Sequence, residues 1–122
     1  MARFAHDDVL DALLDEIATS TTINVCSTQP TNYTEATSTY MLAATAISSG
    51  DFTNADDTSG RKLTVSQQTD VDITNTGTAQ HIALCDATTL LFVTTCTAQG
   101  LTSGGTVTIP AFDINVQDPV AP

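Results

Sequence analysis

The stretch Gln80–Thr97, Q-H-I-A-L-C-D-A-T-T-L-L-F-V-T-T-C-T, constrains the fold more than any other part of this chain. It reads as a β-hairpin turning on Asp86-Ala87-Thr88-Thr89. Symmetric pairing of its arms sets Leu84 against Leu91 and Ile82 against Val93 on one side. On the other side Cys85 faces Leu90 and Ala83 faces Phe92. Strand side chains alternate between faces, so both faces of this hairpin are apolar. A hairpin on a wetted sheet would keep one polar face. Something must therefore cover it twice. A second sheet is expected on one side, and an N-terminal helix or a neighbouring subunit on the other.

The helix is the run 7–18, D-D-V-L-D-A-L-L-D-E-I-A. Val9, Leu10, Leu13, Leu14 and Ile17 fall on one apolar stripe. Asp7 suits the N-cap, with His6 just before it, and acids in the first turn suit the helix dipole. Asp8, Asp11 and Asp15 lie on the opposite face with no lysine partner. About three turns of helix are marginal alone, so this one must dock.

Strand signals fill most of the remainder. Thr21–Ser27 alternates, and Tyr40–Ser48 fits either a short helix or a strand buried on both faces, with Thr45 and Ile47 favouring the strand. Between them Thr28–Thr39 reads as a polar connection broken by Pro30, with Tyr33 or Tyr40 pinning it inward. Ser49–Gly60 is dense in turn formers and is the longest exposed loop expected. Arg61–Gln67 and Asp70–Thr74 alternate, and the turn Asn75-Thr76-Gly77-Thr78 leads into the hairpin. In Thr106–Gln117 the apolar phase flips at Pro110-Ala111, which predicts a bulge or a strand passing between two sheets. The expected fold is mainly β: a single-domain β-sandwich or small barrel of about seven strands with one N-terminal α-helix. The single domain spans 1–122, with an arm and helix at about 1–18, a β body at about 21–117 and a C-terminal arm at about 118–122.

Charge narrows the function classes. The chain has 14 acidic and 3 basic residues, for a net charge of −11, yet only 14% of its residues are charged. Average domains carry roughly 25%, so threonine and other neutral polar groups must make most of the surface. With only Arg3, Arg61 and Lys62 as bases, binding of nucleic acid by phosphate neutralisation is disfavoured, and so is binding to anionic membranes. No apolar run approaches the ~20 residues of a transmembrane helix, and the first residues lack a secretory h-region. Synthesis in a cytoplasm is expected.

Candidate chemistry is sparse. Cys26, Cys85 and Cys96 lack C-x-x-C spacing and are expected to be buried free thiols, with a bridge from Cys26 left open. Cys96 faces Ala79 in the symmetric register, far along from Cys85. His81 and Cys85 share a face but lie four residues apart on one strand, about 13 Å at ~3.3 Å per residue, too far for a nucleophile and its base. Asp70 with Asp72, or Asp51 with Asp56 and Asp57, could offer oxygens to Ca²⁺, but no D-x-D-x-D-G pattern supports this. Zinc spacing and phosphate cradles are absent, and the chain has no Trp to serve as a carbohydrate platform. No catalytic residue, metal or cofactor is expected.

Several stretches carry a resemblance: Met1–Leu14, Ile23–Ala36, Ser59–Val65, His81–Asp86, Leu91–Thr97 and Thr106–Ile114. In their order and pattern they resemble a family of small virion structural proteins of tailed bacteriophages. The resemblance covers nearly the whole chain but supplies no site motif. It implies a non-enzymatic capsid decoration (cement) protein on the capsid exterior, with a neck, tail or fibre-tip component as the alternative. The implied partners are the major capsid protein and further copies of the chain, as a homotrimer, with no nucleic acid and no membrane. On that reading Met1, Arg3 and Phe4 in one arm and Val120 and Pro122 in the other are the expected contact residues.

Overall fold

The computed structural model describes residues 7–56 and 60–116. The fold is mainly β, with nine strands in open antiparallel sheets and one N-terminal helix. The sheets do not close into a barrel. Helix α1 (Asp7–Ile17) leads into β1 (Thr22–Cys26), a π-helical turn (Glu35–Thr39) and β2 (Met41–Ala46). A short 3-10 turn (Ser49–Asp51) precedes β3 (Phe52–Asp56), β4 (Arg61–Val65) and β5 (Gln68–Asp72). The long hairpin follows as β6 (Gly77–Cys85) and β7 (Leu90–Leu101), then β8 (Thr106–Ile109) and β9 (Phe112–Val116).

The first sheet has the order β2-β1-β6-β7, the second β3-β4-β9, and the third is the pair β5-β8. One apolar cluster joins all three: Ile23, Val25, Ile82 and Leu84 from the first, Leu63, Val65 and Ile114 from the second, Val71 and Ile109 from the third. The expected strand change at Pro110-Ala111 is there. β8 pairs with β5, and two residues later β9 pairs with β4 in another sheet. Proline cannot donate to a ladder, so it marks the natural point at which to leave one.

Two expectations about connections need correction. Ser49–Gly60 is not one long loop, because Phe52–Asp56 is a strand paired in register with β4, from Phe52 opposite Val65 to Asp56 opposite Arg61. Its sequence F-T-N-A-D lacks an apolar alternation because the strand lies at a sheet edge. Counting it, and splitting Thr106–Gln117 in two, raises the strand number from about seven to nine. Thr28–Thr39 is likewise more than a polar connection. Asn32 Oδ1 accepts from the Glu35 amide at 2.9 Å, and Glu35 Oε1 reaches back to the Thr31 amide at 2.8 Å. This reciprocal arrangement resembles a capping box and launches the π-helical turn.

The hairpin turns where expected. Asp86 Oδ1 accepts from the amides of Thr88 and Thr89, and Cys85 pairs with Leu90. Beyond that pair the register departs from symmetry. A bulge next to Leu84 sets it opposite Phe92 rather than Leu91, and sets Ile82 opposite Thr94 and Ala83 opposite Val93. Phe92 therefore packs on the main core with Ile82 and Leu84, and Val93 goes to the other face. A second irregularity falls between Ala79, opposite Gln99, and His81, opposite Thr95. Cys96 consequently does not face Ala79.

Both covers come from the chain itself. On one side lie the other sheets and α1, whose Leu14 joins the main cluster. On the other, the small side chains of Cys26, Ala83 and Cys85 are fully buried with Ala36 of the π-helical turn, flanked by Tyr33 and Tyr40. The inward pinning expected of the tyrosines is thus correct. The second cover is this turn and not the N-terminal helix, which packs on β4, β9 and the same side of β7 as the main core.

Candidate functional site

β1 lies beside β6, so the cross-strand partners of His81 are Cys26 and Thr95, not Cys85. All three cysteines are free thiols, which closes the question of a bridge from Cys26. Cys26 Sγ donates to the Ala36 carbonyl at 3.5 Å. Burial, and after it the neighbouring Cys85 and Cys96, push the Cys26 thiol up to about 12. Burial and then the charge of Asp86 push Cys85 up to about 11. A thiol must ionise to attack, so these act as small core residues.

The carboxylates are likewise occupied. Asp51 accepts from Ser66 Oγ at 2.7 Å, from the Ser48 amide at 2.9 Å and from Gln68 Nε2 at 3.3 Å. Those donors, the Ser66 hydroxyl foremost, hold its pKa below the ordinary value. Its oxygens tie the 3-10 turn to Ser66 and Gln68 at the junction of β4 and β5. Asp57 lies outside the described residues, and among the described residues no cluster of three or more His, Cys, Asp or Glu could hold a metal. Asp70 and Asp72 are exposed. They flank the buried Val71, as the alternation through Val71 and Ile73 predicts, although Asp70 sits in a β5 irregularity with φ of 53°.

The same carboxylates make stability depend on acid. Glu35, Asp51 and Asp86 all have lowered pKa values, caused first by the Thr31 side chain, the Ser66 side chain and the Thr88 amide respectively. A carboxylate with a depressed folded pKa stabilises fully above its unfolded value, and that share is lost as pH falls through the folded value. Tm should therefore drop on acidification below about pH 4. In Asp51→Asn the drop should be shallower, measured by thermal melts across that range.

What remains is surface. Helix α1 is rolled relative to its apolar stripe. Leu10 and Leu14 are buried, but Val9 is 58% exposed and Leu13 55%. The roll brings Asp11 Oδ1 to 2.8 Å from Arg61 Nε and Asp15 Oδ1 to 3.0 Å from Asn54 Nδ2. Asp11 is thus not on a free polar face, as the sequence alone suggested; it pins the helix to β4. The cost is an apolar pair one turn apart left facing out. The C-terminal carbonyls of α1 are satisfied by Thr19 Oγ1 and Ser20 Oγ, each at 2.6 Å.

The second open feature is β7, the edge of the first sheet. The opposite edge, β2, is sealed: Leu42 O accepts from the amides of Thr74 and Asn75, and Met41 O from Asn75 Nδ2. Along β7 the described residues make no backbone hydrogen bonds beyond those to β6. Beside it lie two adjoining clefts of about 140 Å³ and 230 Å³, which share Ile82, Cys96, Thr97 and Pro110.

The sequence did not point to either feature. Met1, Arg3, Phe4, Val120 and Pro122, the contact residues it suggested, lie outside the described residues, as do His6 and the capping role expected of the Asp7 side chain. Among the described residues no helix is long and apolar enough to cross a membrane. No family model, curated protein or solved structure matches this chain.

Proposed function

We propose that this is a non-enzymatic virion structural protein that binds the outer surface of a tailed-phage capsid as a decoration protein. The observation that carries the binding role is the exposed pair Val9 and Leu13 on a helix otherwise docked to the body. Single exposed apolar residues are ordinary, but two on one turn-spaced ridge suit a protein partner. The capsid assignment rests on the sequence resemblance described above. The net charge of −11 supports a protein partner outside the particle over contact with packaged DNA. On this reading the chain is made in the host cytoplasm and meets the major capsid protein and two further copies of itself, as a trimer in a closed arrangement.

Imaging purified particles that contain the chain tests the reading. Hundreds of copies on the capsid exterior support it, whereas a dozen or fewer at the neck or tail overturn it in favour of a tail component. Val9→Ser with Leu13→Ser should lower capsid occupancy roughly tenfold or more and leave Tm near that of the parent.

A further inference from the structure

An edge strand with unpaired amides and carbonyls is a template for another strand, and proteins commonly guard such edges with lysine, proline or a cover. β7, L-L-F-V-T-T-C-T-A-Q-G-L, contains no charged residue and no proline, although the chain as a whole carries −11. Its far neighbour β2 is sealed by Ile73–Asn75, so among the described residues β7 is the unguarded edge of the first sheet. The clefts lie between this edge and the β8–β9 segment. The first is lined by Val25, Ala79, Ile82, Val107 and Ile109, the second by Thr94, Ala111, Phe112 and Asp113. Alternate side chains of a strand lie on one side and about 7 Å apart, so a strand laid along β7 can send two of them towards adjoining clefts.

We propose that β7 takes an extended segment of a partner protein by strand addition, with apolar side chains at alternate positions in the clefts and basic residues flanking them. Main-chain hydrogen bonds supply affinity and the clefts supply selectivity, as in other strand-addition complexes. Charge selects the flanks. Among the described residues Asp113 is the one charged residue lining the clefts, and Arg61 and Lys62 on β4 do not line them. The ladder irregularity between His81 and Ala79 bends β7 past Thr95 and limits the docked run to a few residues. The inference does not depend on the partner's being a capsid subunit.

The test uses the capped heptapeptide Lys-Thr-Val-Thr-Val-Thr-Lys, the same peptide with Glu at both ends, and residue-resolved amide hydrogen exchange on the full chain. The Lys-flanked peptide should slow exchange of the outward amides of β7 within Phe92–Thr97, and the Glu-flanked peptide should bind about tenfold more weakly at low salt. Thr95→Lys, at an exposed position, should weaken the Lys-flanked peptide at least about tenfold while the β6 amides stay protected. Unchanged β7 exchange at millimolar peptide would overturn the proposal. So would β7 amides that become protected simply as protein concentration rises, because a second copy would then hold the edge.

Discussion

Replacing Leu84 by alanine is expected to destabilise the protein by about 2–5 kcal/mol, a large share of the 5–15 kcal/mol that holds a typical domain folded. Leu84 is fully buried, sits on the inner sheet strand β6 and belongs to the cluster that joins all three sheets. Its removal leaves a cavity that β1 and β7, hydrogen-bonded on either side of β6, cannot collapse to fill. Tm should fall by roughly 10 °C or more. The informative control is Leu91→Ala. Under symmetric pairing Leu91 would face Leu84 and cost as much. The bulge instead leaves Leu91 half-buried and outside both apolar clusters, so its truncation should cost under about 1.5 kcal/mol. Equal losses in the two variants would contradict the register described here. Chemical denaturation of both proteins gives the comparison.

The second large effect is expected on the opposite face. Ala83→Leu should cost about 1–3 kcal/mol or more, although it adds apolar surface to an apolar face. Cys26, Ala36, Ala83 and Cys85 are all fully buried and all small, and the π-helical turn sits directly on them. A leucine there must push the turn off the sheet or adopt a strained rotamer. The displaced turn would break the thiol contact of Cys26 with the Ala36 carbonyl. Cys26 and Cys85 should then react faster with a thiol reagent under native conditions, whereas in the parent their protonated, buried state keeps reaction slow. A variant of unchanged stability and thiol reactivity would show that the turn is not a tight cover.

These two variants mark the boundary between what local pattern reveals and what it does not. The helix at 7–17, the Asp86 turn, the Cys85–Leu90 pair and the sheet change at Pro110 all follow from local rules of capping, alternation and proline geometry. The bulge beside Leu84 does not, because L-L-F-V is apolar at every position and either register buries apolar groups. The roll of α1 depends on Arg61, fifty residues away in sequence, and so lies beyond any helical-wheel argument. β3 escaped notice because an edge strand need not alternate. The back cover had a readable signal in Asn32-x-x-Glu35, whose capping geometry marks the start of a helical turn. The open edge of β7 could not be read at all, since sheet order is a long-range property that no single strand encodes.

The β6–β7 hairpin is covered on both faces by its own chain and, among the described residues, left open along one edge. Residue-resolved hydrogen exchange on dilute protein, without partner or peptide, tests it most directly. Amides of Ile82–Cys85, flanked by β1 and β7 and buried from both sides, should be among the slowest in the molecule. Along Phe92–Thr95 slow and fast amides should alternate, the slow ones bonded to β6 and the fast ones facing out. Uniformly slow exchange along β7, or fast exchange at Ile82–Cys85 that slows only as protein concentration rises, would contradict it.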